Sequence, residues 1–105
     1  MEPIPEIDVE AAAKRLAAGD ATFVDVRDPG SYGAAHVPGA QHLTDANLQA
    51  FLQSADPDST VIVYCYHGNS SLGGAAYLRE AGFEDVYSMR GGFEAWRGHH
   101  PHESA

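Results

Sequence analysis

The chain has 105 residues, 44% of them hydrophobic and 20% charged, which fits one soluble globular domain with a packed core and leaves no room for a second. Its formal charge of −9, from 15 acidic against 6 basic residues, denies it the basic patch that nucleic-acid binding needs, so no nucleic-acid partner is expected. The longest apolar run, 61–66, is strand-sized, and the acidic opening has no basic-then-apolar leader pattern, so the expectation is a cytoplasmic protein with no membrane partner.

In chain order, Asp8 is placed to cap a helix whose apolar positions Val9, Ala12, Ala13, Leu16 and Ala17 recur at helical spacing, with Gly19 as its stop. Residues 22–26 read as a strand, broken by Asp28-Pro29-Gly30, and a short helical turn follows over 31–35. The segment His36-Val37-Pro38-Gly39-Ala40 is a turn leading to a short strand over 41–43. Residues 45–54 read as a helix with Leu48, Phe51 and Leu52 on one face. Residues 60–65 are β-branched and almost wholly apolar, the pattern of a strand covered on both faces of a parallel sheet. A helix is predicted over 71–81 and a strand over 85–88. A Gly91-Gly92 turn then precedes a short helix on which Phe93 and Trp96 share a face, and residues 99–105 read as a frayed tail. This alternation predicts an α/β fold with a mostly parallel sheet and helices on both sides.

Cys65 is the only cysteine, so the chain can form neither an internal disulfide nor a cysteine-rich metal site. A lone cysteine is often an inert core residue. This one, however, stands where the apolar strand ends and a polar, glycine-containing loop leads into a helix, the edge at which open α/β sheets bind ligands. A loop curling over the sulfur toward a helix start can aim main-chain N–H groups at it and favour the thiolate, which is the nucleophile. Gly68 permits a positive φ in such a curl, Ser70 and Ser71 suit an N-cap, and Gly73 and Gly74 suit a close approach of the helix to the loop. No Lys or Arg stands in the loop, so positive potential must come from main-chain dipoles with His67 as a supplement. His67 reads as an exposed or hydrogen-bonding loop histidine, because attack by a thiolate needs no base. Cysteine phosphatases and arsenate reductases place an arginine six positions after the nucleophile to clamp an oxyanion, and here that position is Ser71.

Three stretches carry a resemblance. Val24-Asp25-Val26-Arg27-Asp28, with Tyr32 and His36-Val37-Pro38-Gly39-Ala40, resembles the N-terminal signature of rhodanese domains. Cys65-Tyr66-His67-Gly68-Asn69-Ser70 is similar to their active loop, and Gly91-Gly92-Phe93-Glu94-Ala95-Trp96 to their C-terminal signature. Loop and size look most like the small, single-domain thiosulfate sulfurtransferases of that family. The resemblance implies one rhodanese-like domain over 1–105, with a central parallel sheet flanked by helices on both faces. It implies that Cys65 takes the outer sulfur of thiosulfate, or of another sulfane-sulfur donor, as a persulfide and passes it to cyanide or to a dithiol protein such as thioredoxin. The amides of Tyr66, His67, Gly68, Asn69 and Ser70 would cradle the anion, with Asp25, Arg27 and Ser71 supporting the loop and no cofactor or metal. Two positions depart from the pattern. Ala35 replaces a glycine before His36, and Leu72-Gly73 stand where a basic residue can follow the loop, which removes a cation that would draw thiosulfate to a chain of this charge. Two other roles remain open: a carrier that receives persulfide sulfur from a protein donor, and an idle regulatory domain.

The remaining singular residues have bland readings. His36 reads as a partly buried histidine bonded to backbone, Tyr66 as a wall of the pocket, and Tyr64, Tyr87, Phe93 and Trp96 as packing residues. His99, His100 and His102 lack partners at metal-ligand spacing beyond Glu103 and read as part of the mobile tail.

Overall fold

The computed structural model describes residues 3–104. In chain order the elements are β1 (Glu6–Ile7), α1 (Val9–Ala18), β2 (Thr22–Asp25), α2 (Pro29–Ala34), β3 (Gln41–His42), α3 (Leu48–Ser54), β4 (Val61–Tyr64), α4 (Ser70–Glu80), β5 (Val86–Met89) and α5 (Gly92–Arg97). The strands form one sheet in the order β1-β5-β4-β2-β3, and every neighbouring pair is parallel. β4 is therefore central, and all four of its residues are buried.

Strand pleating sorts the core into two layers. Ile62 and Tyr64 of β4 and Phe23 of β2 pack with Ala12 of α1 and with Phe93 and Trp96 of α5. Val61 and Val63, with Val24, face the opposite way and pack with Phe51 of α3 and with Ala75 and Leu78 of α4. Helices cover both faces of a parallel sheet, as the alternation of elements predicts.

Local chemistry sets several boundaries. The Asp8 carboxylate accepts from the N–H of Ala11, and Gly19 ends α1 in the left-handed region. Asp28 caps α2 through the N–H of Ser31, with Pro29 in the first turn, so that helix begins before the predicted 31–35. α3 begins only at Leu48, because 45–47 form a turn in which the Asn47 side chain accepts from Thr44 N–H and donates to the His42 carbonyl. β1 has no counterpart in the sequence reading.

The expected frayed tail is folded back over residues 99–104. His36 and Glu103 exchange both main-chain hydrogen bonds in an antiparallel bridge, and the indole N–H of the buried Trp96 donates to the Pro101 carbonyl. The reason is tertiary: an enclosed indole N–H and the edge of residue 36 both need partners, and the tail supplies them. Ala105 lies outside the described residues.

Candidate active site

Cys65 follows the last residue of β4, at the carboxyl edge of the sheet, and is buried. Its Sγ accepts hydrogen bonds from the N–H of Gly68 at 3.1 Å and the N–H of Ser71 at 3.3 Å. The Ser71 hydroxyl also lies 3.3 Å from the sulfur and 2.7 Å from the hydroxyl of Ser88 on β5. Burial pushes the thiol up, but the Ser71 hydroxyl and the N–H groups of Ser71, Gly68 and His67 outweigh it and hold Cys65 below its ordinary value.

The start of α4 explains the geometry. Ser70 and Ser71, expected as capping residues, lie inside the helix, and Asn69 at the cap position makes no side-chain capping bond. A helix start must place its N–H groups somewhere, and here the sulfur takes the one from Ser71. Gly68 has the positive φ expected of it, +93°. A Cβ there would stand 3.1 Å from the Gly91 nitrogen, so the curl also needs glycine's lack of bulk. Of the expected cradle, Gly68 alone donates a hydrogen bond to the sulfur among the described residues; the His67 N–H favours the thiolate without bonding it, and Tyr66, Asn69 and Ser70 make no hydrogen bond to it. Gly73 and Gly74 do not serve the expected approach of the helix to the loop: at Gly74 a Cβ would meet the side chain of Val63 on β4 at 3.2 Å, because α4 packs on the sheet there, and at Gly73 the space is open.

Asp25 and Arg27 do pair. The guanidinium grips the carboxylate through Nε and Nη2, at 3.1 Å and 2.7 Å, with both side chains buried. Nη2 also donates to the Ala35 carbonyl, and Asp25 accepts from the Arg27 N–H. The pair makes no hydrogen bond to the loop. It reaches the loop through stacking: the guanidinium lies 4.8 Å from the ring centre of Tyr66 and 4.3 Å from that of Phe93. Its buried Nη1 has no hydrogen-bond partner among the described residues, on a guanidinium that lies over these π-faces. Tyr66 lines a cleft of ≈ 280 Å³ together with Arg27, Phe93, Arg97 and His102.

The loop is held chiefly by residues that the sequence reading treats as a turn and a packing helix. The N–H of Phe93 donates to the Cys65 carbonyl at 2.8 Å, and that of Glu94 to the Tyr66 carbonyl at 2.9 Å. Gly92, at φ +62°, passes so near that a Cβ would stand 2.6 Å from the Cys65 oxygen. The adjacent glycines before Phe93 are the signal for this approach. Ser88, a polar residue in the otherwise apolar β5, is the signal for the contact behind the sulfur.

The other histidines are engaged individually. His36 is buried, with Nδ1 2.7 Å from the Tyr32 carbonyl and its ring stacked on that of Tyr32. His100 meets Glu10 at 2.8 Å, and His102 packs edge-on against Phe93. Among the described residues no three His, Cys, Asp or Glu side chains are grouped to hold a metal ion. No helix among the described residues is long and apolar enough to cross a membrane.

A parallel α/β sheet whose central strand ends in a cysteine cradled by main-chain N–H groups defines a cysteine-loop domain. Residues 8–99 match the rhodanese-like domain family, and the chain belongs to it. A rhodanese-like domain from Anabaena sp. is 30% identical, covering 100% of this chain and 81% of that one, with a TM-score of 0.85. A Rhodopseudomonas palustris protein of unknown function, for which a tyrosine phosphatase role has been suggested, is 28% identical over 95% of this chain and 85% of its own, at TM-score 0.82. A rhodanese-like domain protein from Staphylococcus aureus has the same fold, with a TM-score of 0.83 at 22% identity over 97% of this chain and 99% of that one. Membership in this family fits a role in sulfur transfer or sulfur carriage.

Proposed function

We propose that the protein is a thiosulfate sulfurtransferase that carries sulfane sulfur as a Cys65 persulfide. The observation that carries this reading is the sulfur of Cys65 at the end of the central strand, receiving N–H groups from Gly68 and Ser71 with no cationic side chain in the loop. Such a cradle stabilises a thiolate and, after transfer, a persulfide anion. In the first half-reaction the thiolate attacks the outer sulfur of thiosulfate. The new S–S bond forms at Cys65 as the donor S–S bond breaks, and sulfite leaves with the electron pair. In the second, cyanide or a thiolate of a dithiol protein such as thioredoxin attacks the terminal sulfur and Cys65 departs as thiolate. No proton has to be removed from a hydroxyl and no metal is required. The cytoplasm suits a protein that depends on a reduced thiol.

A phosphatase role fits less well. Phosphoryl transfer wants a guanidinium at position 71, and Ser71 occupies it. A carrier fed by a protein persulfide is the second reading, favoured by the net charge of −9 and by Leu72 in place of a cation beside the loop. Thiocyanate formation from thiosulfate and cyanide, measured on the protein and on Cys65→Ser, tests the first. Turnover that vanishes in the variant supports it. No turnover in either sinks the thiosulfate assignment, and a one-sulfur mass gain on Cys65 from a protein donor would then support the carrier.

A further inference from the structure

Behind the sulfur lies a short buried chain of hydroxyls. Ser71 and Ser88 are both fully enclosed, their oxygens 2.7 Å apart, and Ser71 Oγ is 3.3 Å from Cys65 Sγ. The chain has two links, Sγ to Ser71 and Ser71 to Ser88, and among the described residues the Ser88 hydroxyl makes no other hydrogen bond. Counting protons decides which state of the sulfur this chain suits. With a thiol there are three hydrogens, one S–H and two O–H, for two links, so one buried hydrogen is left without an acceptor. With an anionic or sulfur-substituted Cys65 there are two hydrogens for two links: Ser88 donates to Ser71, and Ser71 donates to Sγ. Every member is then satisfied, and each bond polarises the next.

We propose that Ser88 is a positioning residue of this site, orienting the Ser71 hydroxyl so that it donates to the sulfur of Cys65. Ser88 is itself held by its place on β5, where its N–H donates to the Pro5 carbonyl and its Cα pairs with Val63 of β4. It touches no reacting atom. Its effect passes through Ser71, and it serves the thiolate and the persulfide alike because neither carries a proton on Sγ. Charged and titratable side chains on the surrounding elements include His67 in the loop, Asp25 at the end of β2 with Arg27 beyond it, Glu6 on β1 in register with Ser88, Arg90 after β5, and Glu94 and Arg97 on α5. None of these side chains hydrogen-bonds the sulfur, and Arg27 and Arg90 are each engaged by a carboxylate, of Asp25 and of Glu6.

The inference rests on Cys65 being the working nucleophile, and its test needs no sulfur donor. The rate of Cys65 alkylation by iodoacetamide is followed against pH in the protein, Ser88→Ala, Ser71→Ala and the double variant, with folding checked by thermal unfolding. Ser88→Ala is expected to raise the midpoint by about half to one pH unit and to slow alkylation below the midpoint about three- to tenfold, leaving the high-pH plateau unchanged. In the Ser71→Ala background the same substitution should have no further effect on the midpoint. An unchanged midpoint in folded Ser88→Ala overturns the proposal, and so does a shift that persists without the Ser71 hydroxyl. Failure of the thiosulfate assay with a normal Ser88 effect would count against the substrate and not against this relay.

Discussion

The main-chain N–H of Phe93 donates to the carbonyl of Cys65 across 2.8 Å, tying the first turn of α5 to the residue that bears the sulfur. Together with the bond from Glu94 to the Tyr66 carbonyl, it fixes the first two residues of the loop from outside the loop. A helix start and a strand end thus satisfy each other's main-chain groups, anchoring the loop's first residues through the main chain as well as through the sulfur.

Gly92 makes that exchange possible, and Gly92→Ala should break it. The added Cβ would stand 2.5 Å from the Tyr66 carbonyl carbon, at a φ of +62° that a side chain resists. A loss of about 2–4 kcal/mol in urea unfolding is expected from left-handed strain and a backbone clash together. Slower alkylation of Cys65 should accompany it. Wild-type stability and reactivity in this variant would contradict the account of the loop.

The cradle has a consequence for pH. Burial raises the Cys65 thiol, but the hydroxyl and N–H of Ser71 and the N–H groups of Gly68 and His67 outweigh it and hold Cys65 below its ordinary 9.0. A lowered native value means that the ionised thiol stabilises the fold fully above 9.0 and that this contribution is lost as pH falls through the native value. The stability difference between the protein and Cys65→Ala should therefore grow as pH rises from about 7 to about 10. Iodoacetamide alkylation should show its midpoint below 9.0. A difference that stays flat, or a midpoint at or above that value, would count against the cradle.

Asp25→Ala should be among the most damaging single changes, because it leaves the enclosed Arg27 guanidinium without its counter-ion. Removing one member of a buried pair costs about 3–5 kcal/mol. Arg27→Lys should recover little, since an ammonium reproduces neither the two-nitrogen grip nor the stacking on Tyr66 and Phe93. Denaturant midpoints of the two variants measure both effects, and a near-normal midpoint in Arg27→Lys would show that charge alone suffices.

Gly73 and Gly74 separate propensity from packing. Gly73→Ala should stabilise α4 by about 0.5–1 kcal/mol, because nothing stands within 4 Å of the added Cβ. Gly74→Ala should lose most or all of that gain against Val63 at 3.2 Å. Thermal unfolding of the pair decides, and equal gains would mean that Val63 yields freely.

Much of this protein is written locally. Asp8 and Gly19 bracket α1, the β-branched run places β4, and alternating elements announce a parallel α/β sheet, because caps and side-chain periodicity act within a few residues. The position of Cys65, and the glycine that lets the loop curl over it, are legible for the same reason. What lies far apart in the chain was decided by folding. β1 is two residues long and exists only because β5 offers an unpaired edge, as the parallel pairing of Glu6 with Ser88 and Ile7 with Met89 shows. The tail is docked only because Trp96 and His36 present groups that need partners. Gly92 beneath the loop and Ser88 behind the sulfur come from positions 20 or more residues downstream of Cys65, and no local pattern specifies which carbonyl or hydroxyl they will meet. Unpaired main-chain groups and enclosed hydroxyls take whatever partner the packed sheet brings within reach, and only the tertiary structure determines which partner that is.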